Sequence, residues 1–101
     1  LIVRIQTYID EHYGDPSLCL SRISDLFHIS ESYFSFLFKK TVGVNFSTYL
    51  EQVRMTQAKH LLETTNIKIT DLYVAVGYNN LTSFRRAFKK KYGVAPNAIR
   101  E

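Results

Sequence analysis

The sequence holds a single cysteine, Cys19, so no internal disulfide can form and no cysteine-based zinc site can be assembled. Its three histidines, His12, His28 and His60, fall in different expected elements without metal-ligand spacing, and no metal or other cofactor is implied. No apolar run approaches the ~20 residues that cross a bilayer, and Leu1-Ile2-Val3-Arg4 does not read as a signal peptide. The expectation is therefore a soluble, cytoplasmic protein with no membrane partner. No segment alternates strictly between apolar and polar residues as a half-buried strand does, and no low-complexity stretch or long linker breaks the chain. A paired nucleophile and base, a phosphate-cradling glycine loop and paired catalytic carboxylates are all missing too, which argues against an enzyme.

What is present is apolar material for one compact domain, or for two small lobes sharing a helix: 46% of the 101 residues are hydrophobic. Thirteen Lys and Arg against nine Asp and Glu give a formal charge of +4, a modest bias towards polyanionic partners. Placement says more than the total. Arg85, Arg86, Lys89, Lys90 and Lys91 fall within one short stretch, whereas Glu63 to Leu81 carries Lys68 as its one basic residue. No Met opens the chain and helical periodicity already runs at residue 2, so an N-terminal effector, receiver or dimerisation domain is expected in a longer protein.

The periodicity predicts an all-α architecture of seven helices. Ile2, Ile5 and Ile9 mark a first helix ending near Gly14, and Asp15-Pro16 a turn. Leu20, Ile23, Leu26 and Phe27 mark a short second helix drawn from Leu18 to Phe27, which places Cys19 on or beside its apolar stripe and so in buried packing. Ser30 is suited to cap a third helix from Glu31 to Val42, stopped by Gly43. A stripe from Phe46 to Leu62 predicts a long fourth helix over Phe46 to Glu63. A fifth covers Ile69 to Val76, a sixth Leu81 to Tyr92, and Pro96 opens a seventh.

Sliding the chain on itself by fifty residues aligns Phe34 with Phe84, Phe38 with Phe88, Lys39-Lys40 with Lys89-Lys90 and Gly43-Val44 with Gly93-Val94. Upstream the offset drops to forty-nine, pairing Ile23 with Leu72, Phe27 with Val76 and Ile29 with Tyr78, so the second turn is one residue longer. Each unit is a short helix, a tight turn and a longer helix with basic residues in its last turn: a helix-turn-helix pattern. Such a unit offers the N-terminal part of its second helix to major-groove base edges, while free N–H groups and nearby cations hold phosphates. The expected division is a first homeodomain-like helix-turn-helix subdomain over 1–45, a linker helix over 46–64 and a second subdomain over 65–101. A linker of ~27 Å is of the size that sets two readers on major-groove faces ~34 Å apart.

Two stretches carry a family resemblance: Ile29-Ser30-Glu31-Ser32-Tyr33-Phe34 through Lys39-Lys40-Thr41-Val42-Gly43, followed by Arg54, Ala58, Leu61 and Leu62; and Val76-Gly77-Tyr78 through Phe84-Arg85-Arg86-Ala87-Phe88-Lys89-Lys90 to Gly93-Val94-Ala95-Pro96. In order, spacing and pairing they resemble the DNA-binding domain of AraC/XylS-type bacterial transcription regulators over nearly the whole chain. The resemblance implies a promoter-binding transcription factor, commonly an activator with RNA polymerase as a second partner. It places Ser32, Ser35 and Phe36 of the first unit, and Leu81, Thr82, Arg85 and Arg86 of the second, at base-reading positions of double-stranded DNA. Lys39, Lys40, Lys89 and Lys90 would lie near phosphates. Phe36 stands where many relatives have Arg, Tyr73 where a small Ala is usual, and Ile99 where the closing segment usually has an aromatic.

Each reading has a plainer rival. Lysines in a last helical turn complement the helix dipole without any ligand. Phe34, Phe38, Phe84 and Phe88 at four-residue spacing are core, not stacking platforms. Phe36 lies well round the helix from them; an exposed ring reads a thymine methyl or stacks, and burial against another element is the alternative. Tyr73 needs either a wider helix gap or a route for its hydroxyl to water. For the whole chain the rivals are a helical protein-interaction module and the targeting domain of a nucleic-acid enzyme.

Overall fold

A computed structural model describes residues 1–100 and gives seven helices: α1 (Ile2–His12), α2 (Leu20–Leu26), α3 (Glu31–Val42), α4 (Phe46–Thr64), α5 (Ile69–Ala75), α6 (Leu81–Tyr92) and α7 (Pro96–Ile99). The described residues contain no strand. They form an elongated body of 44 × 22 × 21 Å, and at 1.5 Å per residue α4 accounts for about 28 Å of helix within it.

Two buried clusters meet on α4. The first gathers Ile5 and Ile9 of α1, Ile23 of α2, Phe34 and Phe38 of α3, and Phe46 and Leu50 of α4. The second gathers Met55, Ala58 and Leu62 further along α4 with Leu72 of α5, Val76, and Phe84 and Phe88 of α6. Phe34, Phe38, Phe84 and Phe88 are all fully buried, as their spacing predicts. Aromatic edges organise the first cluster: the Phe34 and Phe38 rings meet edge to face at 5.7 Å, and Phe38 meets Tyr49 of α4 at 5.3 Å.

The helix ends follow local chemistry. Ser30 Oγ accepts from the Tyr33 N–H at 3.1 Å, Asn45 Oδ1 from Thr48 at 2.8 Å and Asn80 Oδ1 from Ser83 at 3.0 Å, each satisfying an amide the helix cannot. α3 and α6 both stop at a left-handed glycine, Gly43 and Gly93. Beyond α4, Arg100 donates to the carbonyls of Leu62, Thr65 and Ile67, closing the C-terminal end of that helix.

Both inter-helix turns use one device. After α2, the His28 N–H donates to Asp25 O at 3.2 Å and Ile29 N–H to Ser24 O at 3.0 Å; after α5, Gly77 N–H donates to Val74 O at 3.1 Å and Tyr78 N–H to Tyr73 O at 2.9 Å. These are paired Schellman closures around a left-handed residue, His28 at φ 58° and Gly77 at φ 94°. Between α2 and α3 lie residues 27–30, between α5 and α6 residues 76–80, the one-residue difference that the change of repeat offset predicts.

The second helix departs from expectation. It begins at Leu20, not Leu18, because Asp15 Oδ1 accepts from the Ser17 N–H at 2.9 Å and from its hydroxyl at 2.7 Å, and this side-chain turn competes with the helix. Leu18 is still buried, but from the extended segment before the helix. Cys19 therefore becomes the exposed N-cap instead of a packed core residue, with Sγ 3.3 Å from Ser21 Oγ. Leu26 is exposed as well: Leu20, Ile23 and Phe27 define the inward face, and Leu26 lies off it. Tyr73 is half-buried along the second cluster. No buried side-chain polar atom among the described residues lacks a partner, so its hydroxyl is not left buried and unpaired.

Candidate nucleic-acid interface

On α3, burial of Phe34 and Phe38 turns Ser32, Ser35, Phe36, Lys39 and Lys40 outward, and all five are exposed along one shallow depression. Phe36 is 63% exposed, which decides against its burial under another element. Lys40 Nζ sits 5.6 Å from the centre of its ring.

On α6, burial of Phe84, Ala87 and Phe88 turns Thr82, Arg85, Arg86, Lys89 and Lys90 outward. The helices correspond position by position at the fifty-residue offset: Ser32 with Thr82, Ser35 with Arg85, Phe36 with Arg86, Lys39 with Lys89 and Lys40 with Lys90. Leu81, the counterpart of Glu31, is set apart from the rest, because its side chain packs partly against the second cluster. Lys90 also borders a cleft with Thr48, Glu51 and Gln52 of α4, so it reaches two surfaces.

Charge differs between the two faces more than shape does. The first turn of α3 contains an acid, Glu31, that of α6 none. Among the described residues the one salt bridge is Arg22 to Asp15 at 2.9 Å, which involves neither α3 nor α6, so Arg85, Arg86, Lys89 and Lys90 have no acidic partner there. The positive N-terminal end of α6 and two guanidinium groups thus face outward together.

Arg54 of α4 is the residue whose structural part the periodicity did not reveal. Its Nε donates to the Tyr13 carbonyl at 2.9 Å and its Nη2 to the Asp15 carbonyl at 3.0 Å, while its guanidinium lies 5.7 Å from the centre of the Tyr78 ring. Burial lowers its pKa from the ordinary arginine value, and Tyr78 and Asp15 oppose that shift. Burial, and then Glu51, raise the Tyr78 hydroxyl in turn.

A family model described as a helix-turn-helix domain matches residues 23–101. Over 93 residues the sequence is 32% identical to the arabinose operon regulatory protein of Escherichia coli (strain K12), spanning 92% of this chain and 32% of that protein. This chain belongs to the AraC family of helix-turn-helix DNA-binding domains. A second relative, the bifunctional transcriptional activator/DNA repair enzyme AdaA of Bacillus subtilis (strain 168), is 36% identical over 97 residues, 96% of this chain and 46% of that one. Among solved structures, the C-terminal domain of the two-component response regulator yesN from Fusobacterium nucleatum subsp. nucleatum shares 40% identity at a TM-score of 0.93, over 96% of this chain and 94% of that chain. The chain spans less than half the length of these curated relatives, 32% of the arabinose regulator and 46% of AdaA.

No group of three or more His, Cys, Asp or Glu among the described residues is arranged to hold a metal ion, and no helix is long and apolar enough to cross a membrane.

Proposed function

We propose that this AraC-family domain binds double-stranded promoter DNA sequence-specifically, with α3 and α6 as recognition helices in two successive major-groove segments, and that it activates bacterial transcription. The observation that carries the reading is the matched pair of outward faces on two helices of equal length, each backed by its own buried Phe pair. In this reading the working parts are 1–45, 46–64 and 65–101, supported by the two clusters that share α4.

Arg85 and Arg86 carry most base-specific hydrogen bonding, since a guanidinium fork donates to guanine O6 and N7 together. Ser32, Ser35 and Thr82 donate and accept singly, Phe36 contacts a thymine methyl, and half-buried Leu81 offers an apolar edge. Lys39, Lys40, Lys89 and Lys90 hold phosphates. RNA polymerase is the second partner, a further N-terminal domain supplies the signal, and the setting is the bacterial cytoplasm. The domain itself carries no catalysis; in AdaA the matched region is likewise the helix-turn-helix part.

Selection of random duplex DNA against the purified domain, followed by titration of the enriched site at two salt concentrations, tests this. The expected result is a motif spanning about two helical turns, steeply salt-dependent binding, and loss of one half of the motif in the Arg85→Ala/Arg86→Ala variant. Weak binding with no enriched motif would favour the protein-interaction module instead.

A further inference from the structure

We propose that Arg54 is a positioning residue that fixes the two recognition units in one relative placement, and thereby sets the half-site spacing the domain accepts. The proposal rests on the two-reader function above. Its basis is a joint at the middle of α4, where the first cluster gives way to the second between Leu50 and Met55.

At that joint the turn after α1 meets the turn after α5 backbone to backbone. A Cβ on Gly14 would come within 2.8 Å of the Ala75 carbonyl oxygen, and one on Gly77 within 2.5 Å of the Tyr13 carbonyl oxygen and 2.8 Å of Arg54 Nε. Tyr13 packs against both clusters. Arg54 holds this meeting point: its fork satisfies two carbonyls of the first unit's turn, and its guanidinium lies over the Tyr78 ring of the second unit's turn.

A rotation of one unit against the other would separate these groups and leave the Tyr13 and Asp15 carbonyls without their donors. α4 alone would join the units by a single helix; the meeting of the two turns at Arg54 adds a second attachment between them. Since one inserted base pair both lengthens and rotates the path between two half-sites, a fixed joint makes binding sensitive to spacing. A mobile joint would tolerate it.

The test compares affinity for the selected operator with affinity for the same operator carrying one base pair inserted between its halves, using the whole chain. The unsubstituted domain is expected to lose about tenfold or more on insertion, and Arg54→Met about threefold or less. Arg54→Lys keeps the charge but not the fork, so it should behave like the methionine variant. A folded Arg54→Met that keeps the full insertion penalty overturns the proposal.

A second measurement needs no change at Arg54. With Cys19→Ser, spin labels at Thr41→Cys on α3 and Asn97→Cys on α7, both exposed, should give one narrow distance distribution in free protein. A broad distribution overturns the joint. If no operator is enriched at all, the DNA reading and the spacing role fail together, while a narrow distribution would still support the joint itself.

Discussion

α3 and α6 are each twelve residues long, each capped by a polar side chain at the start and a left-handed glycine at the end, and each backed by two buried phenylalanines. The turns that lead into them close by the same pair of hydrogen bonds, yet one places His28 at its left-handed position and the other Gly77. The difference follows from surroundings. His28 is exposed, so its side chain has room even though the conformation is costly, whereas Gly77 lies against Tyr13 and Arg54 where no Cβ fits. The outward faces diverge in the same way: serines and a phenylalanine on α3, a threonine and two arginines on α6. The repeat gives two matching scaffolds, and the contacts around each decide which residues fit its turn.

If the scaffolds are equal, Phe34→Ala and Phe84→Ala should each cost ~3–5 kcal/mol, read as similar drops in thermal stability. A cost confined to one would mean that the two cores do not share the load. The turns should separate more sharply. Gly77→Ala is expected to cost about 2 kcal/mol or more, from strain at positive φ together with the clash, whereas His28→Gly should stabilise by ~0.5–1 kcal/mol. Equal responses at the two sites in denaturant titration would remove the asymmetry argued for the joint.

The faces supply the next contrast. Arg86→Ala should lose ~1–3 kcal/mol of discrimination at one base of the second half-site, and Phe36→Arg should add discrimination of that order in the first. Affinities for operators substituted one base at a time would show both. The smallest effect concerns the first unit's lead-in turn alone. Hydrogen bonds from Ser17, with Arg22 beside it, hold the Asp15 carboxyl below the ordinary 3.8 of an aspartate. A lowered folded pKa contributes stability that is present above the ordinary value and is lost as the pH falls through the folded one. Asp15→Asn should therefore flatten the acid end of the stability profile.

Much of this organisation was legible in the sequence because it rests on local signals. Ser30 and the glycines at 43 and 93 mark helix ends, phenylalanines four apart mark a buried face, and the fifty-residue offset carries both from one unit to the other. The start of α2 was not legible, since Leu18 continues the apolar period and only the Asp15 side-chain turn takes it out of the helix. The placement of Cys19 went wrong with it. The joint was hidden for a different reason: Arg54 spends its donors on backbone carbonyls 41 and 39 residues away, and a carbonyl leaves no mark in a sequence. Of the interface, exposure of the basic and hydroxyl residues could be read from periodicity, but the partial burial of Leu81 depends on how α6 seats on the second cluster.

The most direct test of two matched but unequal readers is to scramble each half of the selected operator in turn and measure affinity at fixed salt. Scrambling the half read by α6 should cost clearly more than scrambling the half read by α3, and scrambling both should leave only salt-sensitive, sequence-independent binding. Equal losses, or a larger loss from the α3 half, would contradict the assignment of specificity to Arg85 and Arg86.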